Sequence, residues 1–132
     1  MSGDLDLLSL DASGQLALLA SGRVTAVELL KLTLARHEQT HRRLNAVVAA
    51  DLERALERAK AIDDIRARGG ALGPLAGLPM TIKDTLDVSG MPASSGLEAF
   101  RRRQAEDAAV VAQARRAGAV IWGKTNVPVM AG

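Results

Sequence analysis

The sequence has no cysteine and no tyrosine, and only two aromatic residues, Phe100 and Trp122. Without cysteine there are no disulfides and no thiolate metal sites, which fits a reducing, cytoplasmic compartment. Without stacking aromatics a sequence-tolerant nucleic-acid surface has little to work with. Nor is there a surplus of one charge: 17 Lys and Arg face 15 Asp and Glu, a net of +2. The isoelectric point near 9.5 exaggerates that imbalance, because little in this chain titrates between about pH 7 and 10. The one basic run, Arg101-Arg102-Arg103, is followed by Glu106 and Asp107, so direct nucleic-acid binding is not expected. No apolar run approaches the ~20 residues of a membrane-spanning helix. The opening stretch carries Asp4, Asp6 and Asp11 with no basic flank, unlike a secretory leader. What remains, in 132 residues of which 48% are hydrophobic and 24% charged, is the composition of a soluble globular chain.

Two regions differ in texture. Residues 13–68 are rich in Ala, Leu and Arg and read as helical; from Gly69 the chain is punctuated by Gly and Pro between short apolar runs. Thr25-Ala26-Val27-Glu28 forms a capping box, opening a helix whose stripe is Val27, Leu30, Leu34 and Leu44. The segment "AVVAA" after Asn45 suits either a short strand or a buried helical turn. Asp51 starts a second helix, with Leu52, Ala55, Leu56, Ala59 and Ile62 on one face, and Gly69-Gly70 end it. In "GPLAGLPMTIKD", Leu78, Met80 and Ile82 alternate with Thr81 and Lys83 as strand geometry requires. A loop, "TLDVSGMPASSG", follows. Glu106 and Asp107 suit the start of a third helix, Arg115 and Arg116 its end, and Gly118 its stop. "AVIWG" is then a strand, so strand, helix and strand suggest a parallel α/β crossover.

Three short motifs invite a function. His37-Glu38-Gln39-Thr40-His41 matches HExxH, a helical pair of zinc ligands flanking a general base. Arg36, Arg42 and Arg43 crowd it with positive charge, and a third ligand has to be a carboxylate such as Glu57 or Asp63. The plainer reading, that His37 and His41 extend the helix stripe, is preferred, and no metal is expected. Gly118–Thr125 matches GxxxxGK[ST], yet its middle residues are apolar and β-favouring, and Pro128 follows too soon for the helix a phosphate loop needs. Ser94 and Ser95, next to Gly96, read as turn-formers rather than nucleophiles.

The blocks "GPLAGLPMTIKD", "GMPASSG" and "EDAAVVAQARRAGAVIWGKTNVP", in this order and spacing, resemble the N-terminal part of the amidase signature family. "LLASGRVTAVELL" and "RLNAVVAAD" are similar to that family's leading helices. The resemblance spans about residues 13–132 and is most specific from Gly73 to Pro128. It implies an α/β fold in which N-terminal helices are followed by part of a mixed, mainly parallel sheet with crossover helices, incomplete here. The whole chain, 1–132, then forms the N-terminal part of one amidase domain, with 13–68 helical and 69–132 the start of the α/β core.

The resemblance also implies chemistry. Family members hydrolyse amides with a Ser–cis-Ser–Lys triad, and Lys83 in "TIKD" corresponds to the triad lysine. Burial, which disfavours the ammonium, makes such a lysine a plausible base near neutral pH. Asp84 is expected to fix a turn or a hydrogen-bond network. Thr125, Asn126, Met130 and Ala131 lie in a stretch that approaches the substrate pocket in relatives. No cofactor is implied; the partner is a small-molecule amide, with a homodimer possible, and the family's range leaves the particular amide open. The triad serines of relatives lie well downstream of "GKTN", beyond Gly132, and Ser94 and Ser95 do not replace them. The ending "VPVMAG" reads as a cut, so the chain alone is expected to be inactive.

Overall fold

The computed structural model describes residues 7–101 and 103–131. Asp4, Asp6, Arg102 and Gly132 lie outside that range. Helices α1 (Ala12–Ala20) and α2 (Ala26–Leu44) are followed by strand β1 (Val47–Ala50), helix α3 (Leu52–Ala67), strand β2 (Pro79–Lys83), helix α4 (Ala109–Arg116) and strand β3 (Val120–Thr125), with short 3₁₀ turns at Glu98–Phe100 and Val129–Ala131.

Local chemistry explains where the helices begin. The Thr25 hydroxyl accepts from the Glu28 N–H at 3.0 Å and the Glu28 carboxylate accepts from the Thr25 N–H at 2.9 Å, the complete capping box. Asp63, from α3, accepts the next two free donors, Ala26 N–H at 2.7 Å and Val27 N–H at 3.1 Å. A carboxylate there also meets the positive end of the α2 dipole, so one side chain both caps α2 and fastens α3 to it. Asp51 caps α3 by accepting from the Arg54 N–H. By contrast α4 starts at Ala109, with no side-chain cap. The acidic residues expected to open it act elsewhere: Asp107 accepts from the Ser89 N–H at 2.8 Å and from Arg115 Nε at 2.8 Å. The basic run is likewise answered by other acids, Arg101 by Glu98 and Arg103 by Asp87.

The sheet is mixed, in the order β1-β3-β2. β2 and β3 run parallel, joined through α4 as the sequence suggested, whereas β1 is antiparallel to β3. "AVVAA" is thus resolved as strand, which interrupts the region read as helical, and one parallel pair against one antiparallel pair makes the sheet mixed rather than mainly parallel. Successive β3 residues face opposite ways. Val120 and Trp122 join Leu19, Leu29, Leu30, Ala55, Ala59 and Ile62 beneath α1–α3, while Ile121 joins Ile82, Val88, Met91, Val111 and Ala119 beneath α4. Each fully buried leucine contributes about 1.5–3 kcal/mol to this core. Leu44 and Leu52, placed on the helix stripes by spacing, are instead 64% and 47% exposed at helix ends, where no neighbouring element covers them.

Candidate active site

Because β2 and β3 are parallel, their carboxyl ends lie on the same side of the sheet, with Lys83 opposite Thr125 and Ile82 opposite Lys124. In parallel α/β sheets this is the end where ligands bind. The loop that leaves β2 and the turn that leaves β3 meet there.

Lys83 closes β2 and is exposed, and no described residue accepts a hydrogen bond or ion pair from its amine. The burial expected of it is therefore not found in this chain. Ile82 takes the inward position at the end of β2, and no described element covers the outward face that Lys83 occupies.

The buried lysine is Lys124, with no exposed surface, and it is ion-paired to Asp84 at 2.8 Å, itself 3% exposed. β3 carries one more residue than β2 between the pairs Met80–Ile121 and Thr81–Gly123. Such a bulge reverses the facing of later residues. It sets Lys124 beside the core residue Ile82, and so a lysine ends up inside. Gly123 suits this crowded point: a Cβ there would stand 2.8 Å from Val47 Cγ1 and 3.0 Å from the Ala49 carbonyl.

Both members of the pair grip the same loop. Lys124 Nζ donates to Asp84 Oδ1 and, at 3.1 Å, to the Pro92 carbonyl. Asp84 Oδ2 accepts from the Ser94 hydroxyl and from the Gly96 N–H at 3.4 Å. Burial raises the Asp84 carboxyl, but the hydrogen bonds from Lys124 and Ser94, the Lys124 charge and the Gly96 N–H together outweigh it. The carboxyl is held below its usual value. Asp84 is thus the network residue the sequence suggested, and Ser94 and Ser95 are loop residues in its grip.

Beside this network lies a cleft of about 210 Å³ lined by residues that include Asn45, Asp84, Ser94, Gly96, Arg101 and Asn126. Asn126 is tied down by its backbone N–H to the Ala46 carbonyl at 2.8 Å and by its side chain to the Asn45 carbonyl at 3.2 Å. Met130 and Ala131 follow in the turn after β3, both exposed and both at positive φ, 54° and 59°. The Met130 N–H donates to the Ser95 carbonyl at 2.9 Å. Asp84 and Asn126 therefore share the cleft, whereas Lys83, Met130 and Ala131 stand outside its lining.

The set-aside motifs are also placed. His37 and His41 lie half-buried on α2 with ring centroids 4.8 Å apart, and His37 meets the Trp122 ring edge-on at 5.2 Å. Asp63, a candidate third ligand, has both oxygens committed to the α2 N-terminus, and among the described residues no group of three or more His, Cys, Asp or Glu could hold a metal ion. The GxxxxGK[ST] match folds as strand β3. Its lysine, Lys124, is the functional-looking residue that sequence reading passed over: its spacing pointed to a phosphate, and only the bulge reveals its burial. Among the described residues no helix is long and apolar enough to cross a membrane.

A protein-family model described as Amidase matches residues 28–131. The chain is 39% identical over 123 residues to a glutamyl-tRNA(Gln) amidotransferase polypeptide of Salinispora arenicola, covering 92% of this chain and 25% of the relative. It is 42% identical over 113 residues to an indoleacetamide hydrolase of Bradyrhizobium diazoefficiens, covering 85% of this chain and 22% of that one. Among solved structures, the native peptide amidase from Stenotrophomonas maltophilia superposes with a TM-score of 0.84 at 33% identity, over 90% of this chain and 25% of the amidase. A further structure described as an amidase gives 0.84 at 37% identity, over 92% and 28%. The chain thus spans about a quarter of the length of the curated relatives it matches.

Proposed function

Since the chain belongs to the amidase signature family, we propose that it supplies the catalytic lysine of an amide hydrolase that works through an acyl-serine intermediate. Lys83 is the base. As a neutral amine it takes a proton through a bridging serine, freeing a second serine to attack the amide carbonyl. Backbone N–H groups hold the oxyanion, ammonia or an amine leaves, and water releases the carboxylate. The serines and the oxyanion donors belong to the part of the enzyme that this quarter-length segment does not span. A carboxylic amide is the substrate class, in keeping with relatives that include an indoleacetamide hydrolase and a peptide amidase.

The observation that carries this reading is the placement of Lys83. It stands at the carboxyl end of a parallel strand, exposed and without a partner among the described residues, directly before an aspartate that is fully engaged in the core. A second feature agrees. β1 and β2 each pair only with β3, so both outer strands are free to accept neighbours, as the start of a larger sheet requires. The test is ammonia release from primary amides by the purified 132-residue chain. None is expected, because a base without a nucleophile forms no acyl intermediate. Turnover by the chain alone overturns the assignment.

A further inference from the structure

We propose that the buried Asp84–Lys124 pair is a positioning clamp that holds Lys83 and the Val129–Ala131 turn in fixed relation through the loop 92–96; this rests on the reading of Lys83 as the base. Neither clamp residue is placed to touch substrate. Lys83 and Met130 leave the sheet at the ends of different strands, and nothing within either strand sets one against the other. The path between them is the loop. Lys124 holds its first residue through the Pro92 carbonyl, and Asp84, covalently next to Lys83, holds Ser94 and Gly96. Ser95 then accepts from the Met130 N–H at 2.9 Å.

The loop has little else to define its shape. Its other fastenings are the Ala93 N–H to the Arg103 carbonyl and the Leu97 N–H to the Ser94 carbonyl, each 2.9 Å. It contains left-handed backbone at Ser95 (φ 48°) and Gly96 (φ 77°), and a Cβ at Gly96 would meet the Pro128 carbonyl at 2.8 Å. Apolar packing is not directional and would not select that geometry. A carboxylate accepting three donors, bound to an ammonium that reaches the same loop, does. The strongest use of a buried ion pair is such specification of one arrangement.

Amide hydrogen exchange on the 132-residue chain tests the clamp. Ser94→Ala removes one of its bonds and leaves the ion pair intact. It should speed exchange at Gly96 and Met130 by about tenfold or more while Val120, bonded to the Leu78 carbonyl at 2.8 Å, stays within about twofold. The neutral pair Asp84→Asn with Lys124→Met should show the same local loss. Unchanged rates at Gly96 and Met130, or Val120 accelerating in step with them, overturn the proposal. In an active amidase carrying this segment, Ser94→Ala should lower kcat about tenfold or more with KM nearly unchanged, since small misplacements cost that much. Lys83→Ala is measured beside it. Turnover that survives Lys83→Ala removes the base reading and leaves the exchange result standing. Turnover lost in Lys83→Ala but unaffected by Ser94→Ala overturns the positioning role alone.

Discussion

Replacing Lys124 by methionine removes an ammonium while keeping most of an unbranched stem, so the perturbation is electrostatic more than steric. Lys124 is fully buried and Asp84 nearly so, at 0% and 3% exposure. The variant leaves a buried carboxylate with only the Ser94 hydroxyl and the Gly96 N–H to satisfy it. Breaking a buried pair from one side costs about 3–5 kcal/mol. Set against the ~5–15 kcal/mol of an ordinary domain, that is a third or more of the total. With a urea m-value of about 2 kcal/mol/M, the unfolding midpoint should fall by about 2 M. Adding Asp84→Asn removes the stranded charge and should recover at least about 1 kcal/mol, a coupling typical of residues in contact. Urea denaturation followed by circular dichroism reads both values. A loss below ~1 kcal/mol for Lys124→Met, or a double variant no more stable than the single, refutes the view that the pair is buried and mutually dependent.

The same pair predicts an acid limb. The folded-state carboxyl of Asp84 lies below its unfolded value of about 3.9, so its stabilisation is present above that pH and lost as pH falls through the folded value. Urea midpoints between pH 6 and 3 should drop less steeply in the neutral Asp84→Asn, Lys124→Met pair than in the unmodified chain; equal slopes contradict the assignment. Gly118→Ala should cost at least about 2 kcal/mol, because φ is +102° and a Cβ would lie 2.6 Å from Ala76 Cα. Gly22→Ala, at φ +75° with nothing within 4 Å, should cost only about 1–2 kcal/mol; similar losses at the two sites would show that the close approach to Ala76 is unimportant.

What the sequence discloses here is what local chemistry decides. The capping box at Thr25–Glu28, the Asp51 cap and the Gly118 stop are each written within a few residues, and each is found. The parallel crossover follows from the alternation of strand and helix. Less legible is anything set by distant partners. β1 pairs with a strand more than seventy residues away, Val47 against Thr125, and nothing near Val47 signals it. Asp63 looks like one of several surface acids on α3 until the N-terminus of α2 is brought to it. The candidate site shows both sides of this limit. Lys83 and Asp84 could be singled out in "TIKD", but which lysine is buried depends on one extra residue in β3, a matter of register that the sequence of neither strand carries alone.

The central claim is that Lys83 is a catalytic base and not a structural residue. Its direct test is Lys83→Ala in the active amidase that carries this segment, with ammonia release and thermal melting measured on the same preparation. The account predicts a fall in turnover of about 10²–10⁴-fold with an unchanged melting midpoint, since the side chain is exposed and bonded to no described residue. Turnover within a few-fold of the unmodified enzyme, in a variant that melts normally, contradicts it.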